Sequence, residues 1–257
     1  MNMLHAIILG IIQGITEWLP ISSSGHLAII QTMLGLKPPL FFDVMLHVGT
    51  LLVIIAVFWK DVVKMIWALL KLDFKNSNGK MAIFIILGSI PTALIGYFFH
   101  DIFESFFSNL FAIGAALIIT GIILFISKFA KENRLLNYKD SILIGIAQGI
   151  SIIPGISRSG LTISIGLFRN IKRIEAAKFS FLLLIPAVIG AAVYESNELV
   201  IGNVDIASIL IGTVVAVITG YISLKLLLRM IIERRFYLFS YYCWIVGILV
   251  ILLATLM

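Results

Sequence analysis

The chain has 257 residues, 61% of them hydrophobic and 12% charged, with a formal net charge of +6. Soluble domains carry about 25% charged residues, so the composition excludes an ordinary soluble globule and points to an integral membrane protein. The lone cysteine, Cys243, excludes an internal disulfide and a thiolate metal cluster; a basic surplus here is expected in cytoplasmic loops, with no nucleic acid as partner.

Residues 3–36 hold an apolar run, a break rich in Pro, Ser and Gly, and a second short apolar run. No basic residue precedes the first run, so it does not read as a cleavable signal peptide. Three stretches then approach the roughly 20 apolar residues that cross a bilayer: 41–59, 81–99 and 109–127. Residues 140–168 repeat the broken pattern, and three more candidate spans follow at 179–194, 206–228 and 236–257. No linker interrupts the series, so 1–257 is expected to be a single membrane domain.

The basic residues fall in four clusters: Lys60 to Lys80, Lys128 to Lys139, Arg169 to Lys178, and Lys225 to Arg235. Only Lys37 and Arg158 lie outside them, and acidic turns intervene at Asp101 with Glu104 and at Glu195, Glu198 and Asp205. With the clusters on the cytoplasmic side, the first span runs outside to inside and the rest alternate. The broken segment at 140–168 then enters and leaves from the cytoplasm, and the one at 3–36 from the outside. Irregular backbone at membrane depth needs a protein or wet surround, which suits re-entrant hairpins. The expected fold is an all-α integral membrane protein built as an inverted repeat, residues 1–130 and 131–257. Each half holds a re-entrant helical hairpin plus three transmembrane helices, giving six spans and two hairpins, with the broken segments meeting near the midplane.

The repeat is visible in the text. "GIIQGITEWLPISSSG" (10–25) and "GIAQGISIIPGISRSG" (145–160) share nine of sixteen positions without a gap. The differences fall on reactive residues: Glu17 faces Ile152, Ser23 faces Arg158, and His26 faces Leu161. A carboxylate in an apolar segment reads as functional, or as a snorkelling group at the lipid interface beside Trp18. Gln13 lies one helical turn before Glu17 on the same face. Ser22, Ser23 and Ser24 stand at a loop-to-helix junction whose backbone amides attract anions. Ser23 and His26, three apart, suit a hydroxyl and its base, or else an N-cap and a satisfied histidine. Arg158, between Ser157 and Ser159, is isolated from every basic cluster and needs an anion: a phosphate, or Glu17 itself. Asp43 and His47 share a helix face near the outer end of the first span and read as a solvated pair, with a metal role as the weaker reading. Together these groups suit hydrolysis of a phosphate ester or anhydride; the fold pattern alone equally suits a transporter or flippase for an anionic polyprenyl lipid.

In "QGITEWLPISSSGH" and "PGISRSG" the sequence resembles the undecaprenyl-diphosphate phosphatase family, the bacitracin-resistance membrane phosphatases of bacteria. The resemblance covers nearly the whole chain. It implies hydrolysis of undecaprenyl diphosphate to the monophosphate carrier used in peptidoglycan synthesis, with a lipid substrate and a divalent cation, Mg2+ or Ca2+. It implies Glu17, Ser23, His26 and Arg158 as catalytic, with Ser22, Ser24, Ser157 and Ser159 around the phosphates and Glu17 and Gln13 at the metal. Gln13 departs from the family's two-glutamate form. Ser23 is then expected as nucleophile with His26 as base, a metal-activated water being the rival. The expected location is the bacterial inner membrane with the site open to the outer face; a homodimer is compatible with the sequence.

Overall fold

The structure, a computed structural model, describes residues 2–195 and 205–256. Among them it is helical, with one isolated bridge between Arg134 and Ile171. The helices are α1 Met3–Trp18, α2 Ser23–Met33, α3 Leu40–Val57, α4 Trp59–Leu70, α5 Ser77–Phe98, α6 His100–Phe107, α7 Leu110–Ile126, α8 Tyr138–Ile150, α9 Arg158–Phe168, α10 Arg173–Glu195, α11 Ile206–Ile232 and α12 Phe239–Leu256.

Five helices are long and apolar enough to cross a membrane, and α3 with α4 makes a sixth candidate bent by 83°. These match the six expected stretches in place, with two differences. The first span ends at Val57 and the chain turns into α4, which hydropathy did not announce. The fourth begins at Arg173 rather than near 179. Its first turns carry Arg173 and Lys178, which depress hydropathy, but both are neutralised: Arg173 by Glu132 at 2.6 Å and Lys178 by Asp61 at 2.6 Å. Asp205 caps α11 by accepting from the Ala207 N–H at 3.3 Å; Glu198 of the expected acidic turn lies outside the described residues.

The four basic clusters are drawn to one end of the bundle by shared acidic partners. Asp61 joins the first to the third through Lys178, and Glu132 joins the second to the third through Arg173 and to the fourth through Arg234 at 3.3 Å. Asp140, whose carboxylate is fully buried, takes Arg134 at 2.6 Å and Arg169 at 2.9 Å. It also accepts from the Asn137 N–H at the start of α8. Burial alone would raise its pKa, but those bonds outweigh it and hold Asp140 below the usual carboxylate range.

Small residues let helices touch along their backbones. A Cβ added at Gly10 of α1 would strike the Gly212 carbonyl of α11, and one at Gly145 of α8 would strike the Gly88 carbonyl of α5. Gly114 of α7 and Gly247 of α12 face each other reciprocally, each with the other's carbonyl 2.8 Å from such a Cβ. The main apolar core wraps the end of α1: Trp18 is fully buried, set edge-on to Phe181 at 5.8 Å, among Ile54, Leu224 and Leu227.

Candidate active site

Both broken segments end in the same cap. Ser22 opens α2 by accepting from the Gly25 N–H at 3.3 Å, and Ser157 opens α9 by accepting from the Gly160 N–H at 3.1 Å. A serine at an N-cap satisfies an amide that the helix leaves unpaired. The two breaks touch. Ser22 Oγ also accepts from the Gly155 N–H at 2.9 Å, and Ser159 Oγ donates to the Trp18 carbonyl at 3.0 Å. Thr120 of α7 braces the second break, donating to the Gly155 carbonyl at 2.9 Å and accepting from the Ser157 N–H at 3.1 Å. Ser22 has φ +70° and Gly155 φ +96°, a left-handed backbone that is costly for serine. A Cβ at Gly155 would also meet the Ile113 carbonyl at 2.5 Å, so the residue there must be glycine.

The junction brings the reactive residues of both motifs onto one carboxylate. Glu17, nearly buried, receives Arg158 Nη2 on Oε1 at 2.7 Å and Ser23 Oγ on Oε2 at 2.6 Å. Gln13 Nε2 donates to the same Oε2 at 3.1 Å and meets His47 Nδ1 at 2.9 Å, and His47 Nδ1 stands 3.5 Å from Glu17. The Arg158 guanidinium lies over the Trp18 ring, 5.9 Å from its centroid. Among the described residues, the buried polar atoms without a partner include Arg158 Nη1, Gln13 Oε1, Gln148 Oε1 and Trp18 Nε1. A buried donor or acceptor left unpaired costs roughly 1–3 kcal/mol, and two of these residues, Arg158 and Gln148, line a single cavity.

Glu17, Ser23, His47, Gln148 and Arg158 open on this cavity of about 590 Å³. Its polar lining includes Glu17, Ser22, Ser23, Ser24, His47, Gln148, Ser157 and Arg158. Its apolar lining comes largely from α5 and α10, among them Ala93, Tyr97, Leu184, Pro186 and Ala187, with Val44 of α3 and Ile152 and Ile156 of the second break. An anion-binding head against an apolar wall is what an amphiphile with a phosphorylated end requires.

Not every expected residue is gathered there. His26 does not reach Ser23: its Nδ1 bonds the Ser22 carbonyl at 2.8 Å and its Nε2 the Tyr242 hydroxyl at 2.9 Å. Residues 23 and 26 share the first turn of α2 but are committed to different partners, Ser23 to Glu17 and His26 to the Ser22 carbonyl and Tyr242. Ser159 is spent on the Trp18 carbonyl and does not line the cavity. His47 is not half of a solvated pair with Asp43: it lines the cavity and meets Gln13 Nε2, while Asp43 accepts from Gln31 at 3.1 and 3.2 Å. The available signal was a histidine two turns into an apolar span, on a face that also carries Thr50. Gln148, the repeat's counterpart of Gln13, bonds the Leu183 carbonyl through Nε2 at 3.2 Å, lines the cavity and has an unpaired Oε1.

The donor set fits a hard divalent cation only in part: one carboxylate and one unpaired amide oxygen, Gln13 Oε1. Such ions commonly take one or two protein oxygens and complete their shell with substrate phosphates and water, so the residues present fit a cation shared with a diphosphate.

A family model described as bacitracin resistance protein BacA matches residues 6–249. The chain is 41% identical over 262 residues to the undecaprenyl-diphosphatase of Halothermothrix orenii, covering 99% of each. It is 41% identical over 263 residues to that of Carboxydothermus hydrogenoformans, covering 98% of each. It is 38% identical over 273 residues to that of Methanosphaera stadtmanae, covering 99% of each. With two motif tips joined on one carboxylate and a match along nearly its whole length, the chain belongs to the bacitracin resistance protein BacA family.

Proposed function

We propose that this protein is an undecaprenyl-diphosphate phosphatase. It removes the terminal phosphate of the lipid diphosphate and returns the monophosphate carrier to peptidoglycan synthesis. Full-length similarity to undecaprenyl-diphosphatases supports the activity. The observation that carries the chemistry is the chain Arg158–Glu17–Ser23, with a buried, unpaired guanidinium nitrogen on a residue that lines a cavity with polar and apolar walls.

In the resting site Arg158 and Glu17 neutralise one another. An arriving diphosphate offers Arg158 two oxygens in place of one, and the guanidinium fork suits them. Nη1, unpaired in the structure, gains a partner. Glu17, relieved of the arginine, becomes a better base for the Ser23 hydroxyl that it already accepts. Ser23 Oγ attacks the terminal phosphorus as its proton passes to Glu17. The bond from phosphorus to the bridging oxygen breaks, undecaprenyl phosphate leaves, and phosphoserine remains. Water then attacks that phosphorus, Ser23 recovers a proton, and inorganic phosphate departs. Glu17, rather than His26, is the base this geometry supports. A divalent cation, Mg2+ or Ca2+, held by Glu17 and Gln13 Oε1, would neutralise charge on the diphosphate. Ser22, Ser24 and Ser157 stand around the phosphates, while Ser159 holds the tips together.

We further infer that the broken segments are re-entrant hairpins of an inverted repeat, halves 1–130 and 131–257. The pairing of α1 with α11 and of α8 with α5, through Gly10–Gly212 and Gly145–Gly88, supports this. The gathering of the basic clusters supports a cytoplasmic placement for that end, hence a site open to the outer face of the bacterial inner membrane.

The deciding assay is phosphate release from a polyprenyl diphosphate by the purified protein in detergent, with and without magnesium. Glu17→Gln and Ser23→Ala should each remove most activity, whereas Gln13→Ala should leave a measurable fraction. Equal and complete loss at Gln13 would show that its amide is a required ligand. For orientation, single cysteines in a Cys243→Ser background are treated on intact cells with an impermeant thiol reagent. Asn109→Cys should label and Asn76→Cys should not; the reverse pattern overturns the placement.

A further inference from the structure

Helix α4 has no part in the site. It leaves α3 at an angle of 83°, and α3 alone, at 18 residues and ~1.5 Å each, already covers most of a bilayer's hydrocarbon core of about 30 Å. The chain has therefore nearly crossed when it turns, and α4 runs across the end of the bundle that carries the basic clusters.

Its sequence, "WKDVVKMIWALL", divides by helical rotation into three sectors. One packs inward: Met65 is buried against Ala82 and Leu182, Ala68 is buried, and Asp61 is held by Lys178 at 2.6 Å. The second is apolar and uncovered: Trp59, Ile66, Trp67 and Leu70 are all at least half exposed. The third holds Lys60 and Lys64 with Lys71, just past the end of the helix. At about 100° per residue, these lysines form a row along one flank of the exposed apolar stripe, between it and the inward-packed sector, and Lys71 stands 5.7 Å from the Trp67 ring centroid. Tryptophan beside lysine at the end of a spanning segment is the composition of a bilayer interface.

We propose that α4 is an interfacial helix that binds the anionic lipid surface of the leaflet at the basic end. Trp59, Ile66, Trp67 and Leu70 enter the boundary between headgroups and acyl chains, and Lys60, Lys64 and Lys71 take the phosphates. The charge row argues for anionic lipid over a second copy of the chain, because two such faces would bring six lysines together with Asp61 already committed to Lys178. The helix pins the inner end of α3, and α3 carries His47 into the cavity.

The test reads the two α4 tryptophans directly. The protein and a Trp59→Phe/Trp67→Phe variant are placed in nanodiscs of mixed phosphatidylcholine and phosphatidylglycerol at equal mole fraction. Bromine is carried on one lipid or on the other. Subtracting the variant removes the signal of Trp18 and Trp244. Brominated phosphatidylglycerol should quench the α4 signal more strongly than brominated phosphatidylcholine, reflecting a local preference of about fivefold or more, the scale of one lysine near an anionic surface. Lys60→Gln/Lys64→Gln/Lys71→Gln should bring the ratio close to one, and ~1 M salt should do the same to the unsubstituted protein. Equal quenching by both lipids at low salt overturns the proposal. So does an absence of quenching accompanied by α4-to-α4 cysteine crosslinks, which assigns the face to a second copy.

Discussion

The break that follows α1 and the break that follows α8 are built alike and loaded differently. Each ends in a serine that caps the next helix through a glycine amide, Ser22 with Gly25 and Ser157 with Gly160. Each preceding helix rests a glycine on a neighbour's carbonyl. The first tip carries Glu17 and Ser23; at the same places the second carries Ile152 and Arg158. Identical side chains at both tips would set two carboxylates or two arginines against each other, and like charges at such distance cost several kcal/mol. Divergence at those positions lets shape be shared while charge is complementary.

The strongest break of that comparison is at Arg158. Arg158→Lys keeps a cation for Glu17 but loses the fork, so turnover should fall by about 10²-fold or more while thermal stability in detergent is nearly kept. Turnover and Michaelis constant would be measured for the Lys and Ala variants. Normal turnover in Arg158→Lys would make this residue a structural counter-ion only. The double variant Glu17→Gln/Arg158→Gln supplies the control. Removing one member of a buried pair costs about 3–5 kcal/mol, so the double variant should melt above either single Gln variant and remain inactive.

Equivalence of the scaffold is tested at Gly10 and Gly145. Valine at either should meet a carbonyl that cannot yield, costing ~1–3 kcal/mol or more and lowering the melting temperature to a similar degree in both. A large loss at one and none at the other would break the equivalence of the halves.

A smaller effect is expected at His26, which the second tip replaces with Leu161. Because its ring holds the Ser22 carbonyl and Tyr242 rather than Ser23, His26→Gln should reduce turnover by about tenfold through loss of cap geometry. A general base would be worth about 10²–10⁴-fold, and a loss on that scale would return His26 to the proton transfer.

The smallest effect concerns Asp140, at the entrance to α8, where α1 has no counterpart. The folded state favours its ionised form, so its contribution to stability is complete above the ordinary carboxylate range and declines as pH falls through the lower folded value. Melting temperature should drop on acidification, and Asp140→Asn should be less stable at neutral pH with a flatter acid limb. An unchanged acid limb would place the sensitivity elsewhere.

The sequence by itself determined what periodicity and charge can carry. Hydropathy located the six candidate spans, because apolar length is a local property. The doubled motif located both breaks, because Pro, Gly and Ser punctuate helices wherever they stand. An isolated Glu17 and an isolated Arg158 announced themselves, since an unpaired charge in an apolar segment demands a partner. Tertiary structure alone decided which partners were taken. Ser23 and His26 are close in the chain, yet Ser23 bonds Glu17 across the break and His26 bonds Tyr242 of the last helix. His47 paired by spacing with Asp43 and was carried instead to Gln13 by the packing of α3 on α1. The turn of α3 into α4 was hidden because apolar residues run through Val57, Phe58 and Trp59. Spacing fixes only which residues share a helix face, whereas the contacts of a catalytic group are set by where other helices cross it, and those crossings depend on glycine contacts between segments far apart in the chain.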